Sequence, residues 1–214
     1  MKIMLDLAPE KIAELCLRFD REFWQLRTPL TKNAITDVPY GLDNGCYTTF
    51  YEKTWLRLVN EAEANRPVFV CLPDIVGDAQ RTIEMFHIWS KRLNGLPKCL
   101  VLQDGVQFIT IPWNDIDAIF IGGTDAFKTS AEAFAAAKMA KMLGKWVHVG
   151  RVNSYERACQ WIRVIKKKGK PDSIVYLADS IDGSGMSIGT RDYEQLRIVM
   201  DAIDGKRMKQ IEML

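Results

Sequence analysis

Six short segments of this chain end in residues suited to acid–base chemistry or to binding a polar ring. They are Asp43-Asn44-Gly45, Pro73-Asp74, Gln103-Asp104-Gly105, Gly122-Gly123, Gly150-Arg151 and Asp179-Ser180-Ile181-Asp182-Gly183. Each follows a short apolar, β-branched run. Taken singly, Asp and Gly after a strand are ordinary turn chemistry. Turn formation alone does not call for acids at so many strand ends, so together they point to a site. The inventory narrows the chemistry. There is no Ser–His pair in a nucleophile elbow, no catalytic-cysteine motif and no metal-ligand cluster. What remains is carboxylate chemistry, with one Asp as nucleophile and a second as acid/base. Two carboxylates flanking a C–O or C–N glycosidic bond can form a covalent sugar–enzyme intermediate and resolve it with retention. Gln103 and the backbone amides of Gly122 and Gly123 suit the edge of a polar heterocycle.

These groups meet only if the elements carrying them are parallel strands with a common C-terminal end. The pattern predicts that. Candidate strands at Val38–Leu42, Val68–Leu72, Cys99–Leu102, Ala118–Ile121, Trp146–Val149 and Ile174–Leu177, with a first near Lys2–Leu5, alternate with helical stretches, the signature of βαβ units. Thr129 followed by Glu132 reads as a capping box for a helix stopping at Gly144. Asn153 and Glu156 read as the start of a helix running to Gly169. Asp78 is placed to cap a helix that ends near Asn94–Gly95, with Ile83, Phe86 and Trp89 on its buried face. Seven or eight such units in 214 residues predict a compact α/β fold, a (β/α)8 TIM-type barrel forming one domain over residues 1–214. A doubly wound open sheet is the alternative, although no GxGxxG or GxxxxGK[ST] follows any strand.

Composition excludes more than it selects. At 48% hydrophobic and 26% charged residues the chain reads as an ordinary globular domain. No apolar run approaches the roughly 20 residues of a membrane span, and the N-terminus lacks the features of a signal peptide, so the cytoplasm is the expected compartment. Five cysteines without CxxC spacing, and two histidines, His87 and His148, that form no HxxxH pair, argue against a disulfide framework and a zinc site. Neither a metal nor another cofactor is expected. Net charge is +2. Lys166, Lys167, Lys168 and Lys170 cluster, as do Lys206, Arg207 and Lys209. Such runs are most often solvated surface and otherwise contact phosphates.

The strand-end segments resemble the tRNA-guanine transglycosylase superfamily, and more closely its short, often phage-encoded relatives that insert 7-deazaguanines into DNA. The stretches are GLDNGCY (41–47), CLPDIVGDAQRTIEMFHIW (71–89), LVLQDG (100–105), FIGGTDAFK (120–128), HVGRVNS (148–154) and DSIDGSG (179–185), in the family's order. The resemblance implies an irregular TIM barrel that exchanges guanine in a polynucleotide for a free 7-deazaguanine base. It implies Asp182 as the nucleophile at C1′, with Asp179 as the alternative registration, and Asp43 as general acid/base. Asp74 would read the N1–H and amine of a guanine-like base, Gln103 would donate to its carbonyl, and Gly122 and Gly123 would supply backbone contacts. Tyr47 matches a stacking aromatic or is a core tyrosine. Asn44 supports the site. Arg151 meets either a phosphate or a site carboxylate, and Lys128, with Lys166, Lys167 and Lys168, is a candidate for the nucleic-acid backbone.

Three departures from the family matter. No cysteine follows Cys159, so the zinc-binding subdomain of the tRNA enzymes is not expected and DNA becomes a better partner than tRNA. The double glycine after the acid/base Asp becomes Gly45-Cys46, and the segment after Gly-Gly reads Thr-Asp-Ala-Phe-Lys. The rival readings are a tRNA-guanine transglycosylase, a small-molecule nucleoside or phosphosugar enzyme, and a non-catalytic nucleic-acid-binding barrel. Oligomeric state stays open, with a homodimer among the options.

Overall fold

The computed structural model describes residues 1–30, 38–93, 95–165, 173–188 and 190–206. In chain order the elements are β1 (Lys2–Leu5), α1 (Pro9–Phe19), β2 (Phe23–Arg27), β3 (Tyr40–Leu42), α2 (Glu52–Ala62), β4 (Val70–Cys71), α3 (Ala79–Trp89), β5 (Lys98–Leu102), β6 (Ala118–Ile121), α4 (Asp125–Lys128), α5 (Ala131–Met142), β7 (Trp146–Val149), α6 (Tyr155–Gln160), β8 (Ile162–Ile165), β9 (Ser173–Tyr176), β10 (Ser180–Asp182), α7 (Ser184–Ser187) and α8 (Glu194–Ile203). Eight strands close into an all-parallel barrel in the order β1-β10-β7-β6-β5-β4-β3-β2. The fold is a (β/α)8 TIM-type barrel, and the open-sheet alternative is overturned. No described helix is long and apolar enough to cross a membrane.

Strand periodicity divides the apolar residues into two cores. Along β5, Leu100 and Leu102 pack outward with the helices, whereas Cys99 and Val101 join Met4, Leu26, Phe69, Cys71 and Ala118 in a second cluster inside the barrel. At the N-terminal end the interior is plugged by Trp24 and Trp146, stacked with ring centroids 5.6 Å apart. Above them Phe69 fills the space that Gly41 leaves open: a Cβ on Gly41 would stand 2.4 Å from the ring. The apolar filling stops at the level of Phe120 and Phe69, and polar side chains occupy the last layer.

Several boundaries differ from the sequence reading, each for a local reason. β2 carries no apolar alternation, because Gln25 and Arg27 are both buried. Gln25 donates to the Leu7 carbonyl at 2.8 Å, and Arg27 pairs with Glu61 at 3.2 Å. The cap of α5 is Ser130, which accepts from the Ala133 N–H. Thr129 instead closes α4, its hydroxyl donating to the Ala126 carbonyl. Ser154, not Asn153, caps α6, and α6 ends at Gln160 because the chain turns into β8. The apolar run at 174–177 does form a strand, β9, but it pairs antiparallel with β8 outside the barrel. The eighth barrel strand is β10, within the stretch read as a loop. Asp78 caps α3 as expected, accepting from the Arg81 N–H at 2.9 Å.

Candidate active site

The strand ends around β3, β4 and β5 build one wall. Asp43 extends β3, its N–H donating to the Arg27 carbonyl at 2.7 Å. Its carboxylate accepts from the Asn44 N–H at 2.7 Å. Buried Asn44 donates through Nδ2 to the Leu72 carbonyl (2.6 Å) and to Asp74 Oδ1 (2.8 Å), while its Oδ1 accepts from the Cys46 N–H (2.8 Å). Gln103 donates through Nε2 to Asp74 Oδ2 at 2.5 Å, and its Oε1 accepts from the Gly77 N–H at 2.9 Å. Because a backbone N–H only donates, the orientations of both amides follow from their partners. The Asp74 carboxylate is thus held by one amide donor on each oxygen, with further lone pairs left for a ligand. Thr82 anchors the loop from α3: its hydroxyl accepts from the Ile75 N–H (3.0 Å) and lies 3.2 Å from the Ile75 carbonyl.

The opposite wall comes from β7 and β10. Asp182 ends β10, and its Oδ1 is reached by His148 Nε2 at 3.0 Å and the Arg151 N–H at 3.3 Å. Arg151 adopts the left-handed backbone region (φ 59°). Its guanidinium donates to the Gly123 carbonyl at 2.8 Å and lies over the Tyr47 ring, 4.3 Å from the centroid. Gly123 itself has φ +68°, and a Cβ there would meet Asp104 Oδ2 at 2.6 Å. That carboxylate accepts from the N–H (2.9 Å) and hydroxyl (2.6 Å) of Thr124, the residue that caps α4. Only glycine fits this turn.

Between the walls lies a cavity of about 310 Å³, bordered by Asp43, Asn44, Asp74, Gln103, Lys128 and Arg151 among others. This volume falls within the range of small-ligand sites, roughly 300–1,000 Å³. The electrostatics are unbalanced. Desolvation by the surrounding protein, then the charges of Asp182 and Asp74, push Asp43 up to about 7. Burial likewise raises Asp74, against the hydrogen bonds from Asn44, Cys46 and Gln103. Lys128 is buried, 6% exposed, and desolvation with the nearby Arg151 charge lowers it to about 8. Its ion pair is with Asp125, 3.9 Å away, the charges of Asp182 and Asp104 also act on it, and it borders the cavity. Among the described residues no group of three or more His, Cys, Asp or Glu stands close enough to hold a metal ion.

The structure brings together Asp43, Asn44, Asp74, Gln103, Gly122, Gly123, Lys128, Arg151 and Tyr47 around this cavity, with Asp182 beside it through its electrostatic contact with Asp43. It separates Asp179 from them. That residue precedes β10 at the barrel's other end, where it accepts from the Val147 N–H at 2.8 Å and pairs with Lys141. It therefore stands apart from the cavity, and of the two aspartates Asp182 is the one beside it. Tyr47 is 65% exposed at the mouth, so the core reading of that tyrosine is also corrected. Gly122 offers less than expected, because its N–H is already given to the Leu102 carbonyl at 3.0 Å. Lys128 is a buried wall residue at the end of α4. Lys166, Lys167, Lys168, Lys170, Arg207 and Lys209 lie outside the described residues. His148 escaped sequence reasoning. Its signal was period two: within Trp146–Val149 it shares the inward face with Trp146, and that face leads to Gly150 and the site.

The chain matches no protein-family model, and no curated protein is similar to it in sequence.

Proposed function

We propose that this barrel is a base-exchange transglycosylase that replaces guanine in a polynucleotide, DNA in preference to tRNA, with a free 7-deazaguanine. The observation that carries the reading is the pairing of two differently placed acids across one cavity: Asp43, raised to about 7, and Asp182, electrostatically coupled to it. A carboxyl raised toward neutrality suits the general acid, and the second acid beside it suits the nucleophile. Asp74, held by Asn44 and Gln103, supports recognition of a guanine-like edge, whose N–H and amine donors match a carboxylate. The second hydrogen on Gln103 Nε2 and the Gly123 N–H, which has no acceptor among the described residues, suit the base carbonyl.

The reaction is a double displacement. The target nucleotide leaves the stack, at a cost of roughly a few kcal/mol. A carboxylate oxygen of Asp182 bonds to C1′ as the C1′–N9 bond breaks, and the departing guanine takes its proton from Asp43. The incoming base gives its N9 proton to Asp43, its nitrogen bonds to C1′, and the aspartyl ester releases the carboxylate. The resemblance of the strand-end motifs supports the choice of a 7-deazaguanine and of DNA. Incorporation of radiolabelled guanine tests the reading, with duplex DNA, single-stranded DNA, tRNA and free nucleosides as parallel substrates. Label entering DNA is the expected result. Label entering only free nucleosides would replace this reading with a small-molecule enzyme, and no incorporation at all would favour a binding barrel.

A further inference from the structure

The Asp182 carboxylate is held by one oxygen only. Oδ1 faces both His148 Nε2 and the Arg151 N–H, whereas Oδ2 receives no hydrogen bond from the described residues. Behind His148 lies a polar chain inside an otherwise apolar barrel. Trp146 Nε1 donates to Ser180 Oγ at 2.9 Å, and Ser180 Oγ lies 2.8 Å from His148 Nδ1. Strand register builds it: β7 and β10 pair with Ser180 opposite His148. Trp146 and His148 alternate inward on one strand, as Ser180 and Asp182 do on the other.

The direction of the chain is set at both ends. An indole N–H only donates and a carboxylate only accepts. Ser180 accepts from Trp146; with the proton of a neutral imidazole on Nε2, facing the Asp182 carboxylate, Nδ1 is left to accept the Ser180 hydroxyl proton. His148 and Ser180 are fully buried, and the imidazole is wedged between Phe120 (ring centroids 4.5 Å) and Phe69 (5.2 Å). An isolated polar chain in a core is costly compared with well-packed apolar residues. This one ends on the acid beside the cavity.

We infer that His148 is a positioning residue that commits Asp182 Oδ1 to hydrogen bonding and leaves Oδ2 as the oxygen that bonds to the sugar carbon. The chemical role rests on the base-exchange reading; the relay itself does not. In the first half-reaction the Oδ2–C1′ bond forms while the C1′–N9 bond breaks, with its electron pair going to the base and the proton coming from Asp43. In the second, the C1′–Oδ2 electron pair returns to the carboxylate, where the Nε2–H stabilises the charge reappearing on Oδ1. His148 thus matters more for resolving the covalent intermediate than for binding the polynucleotide.

Two measurements test this. With folding verified by thermal melting, His148→Leu should slow resolution of the covalent DNA adduct by added guanine about 100-fold with KM for DNA changed less than about twofold. His148→Gln, which can place an amide N–H toward Asp182, should recover part of the rate. A folded His148→Leu protein that resolves its adduct at the wild-type rate overturns the assignment. Independently of activity, the chain has only two histidines, and His87 is exposed, so imidazole 15N NMR is readable. One ring should carry its proton on Nε2, and that signal should move in Asp182→Asn. A proton on Nδ1, or a signal indifferent to that substitution, sinks the relay. If the wild-type protein exchanges no base, the functional reading fails while the NMR result still decides the hydrogen-bond chain.

Discussion

The two ends of this barrel treat carboxylates in opposite ways. At the N-terminal end three acids, Glu22, Asp117 and Asp179, each have a donor partner. Glu22 is held below its ordinary range by the Lys2 ammonium and the Trp24 indole, Asp117 accepts from the Lys98 N–H at 2.9 Å, and Asp179 meets Lys141 and the Val147 N–H. At the C-terminal end Asp43, Asp74 and Asp182 crowd one cavity, and the charges of the other two add to the desolvation that raises Asp43. β10 shows both regimes within four residues, Asp179 at its foot and Asp182 at its tip. Matched acids add modestly to stability, whereas crowded, desolvated acids cost stability and single out the candidate site.

The contrast is most exposed to test at Asp182. Asp182→Asn should lower base exchange by at least about 10⁴-fold and abolish the covalent adduct on a denaturing gel, with the melting temperature little changed. Residual exchange near the wild-type rate would show that the crowded end is not the reacting end. Asp43→Asn should reduce kcat by roughly 10²–10⁴-fold, the usual span of general acid–base catalysis. Asp74→Asn replaces an acceptor with an amide that offers donors to the donor edge of the base, and should raise KM for free guanine about 100-fold, read by steady-state incorporation.

The same comparison predicts a pH signature. The folded-state pKa of Asp43, about 7, lies above its unfolded value of about 3.9, so the folded protein binds the proton more tightly. The stability contributed is fully present below about pH 4 and is lost as pH rises through 7. Asp43→Asn should therefore flatten the fall in stability between about pH 4 and 7 and raise it at pH 8 by roughly 1–3 kcal/mol, measured by urea denaturation. The smallest effect belongs to the matched end: Asp179→Asn should cost about 1 kcal/mol of stability and leave the rate of exchange unchanged.

How much was legible follows from which signals are local. β6 and β7 have the limits predicted for them, Ala118–Ile121 and Trp146–Val149, because buried parallel strands read as continuous apolar runs. β2 was invisible because Gln25 and Arg27 satisfy their polar groups through partners distant in sequence, Leu7 and Glu61. The segment 174–177 has strand composition, but composition does not say whether a strand enters the barrel or pairs in a hairpin. Lys128 illustrates the same gap: a lysine at the end of a one-turn helix reads as solvated until the turn around Gly123 carries it inside.

The chain's own pattern determined that parallel strands would gather Asp43, Asp74 and Gln103 at one end, since each follows an apolar run and the side-chain period leaves no other common face. Tertiary structure alone decided which of Asp179 and Asp182 belongs with them. Both stand in one short acidic segment, and only the closure of β10 between β1 and β7 places three steps of extended chain, roughly 10 Å, between the paired acid and the one beside the cavity. The His148–Ser180 contact was decided in the same way, by a register between strands 32 residues apart. A hydrogen bond across a barrel wall depends on the alignment of two strands, and neither strand's sequence contains that alignment.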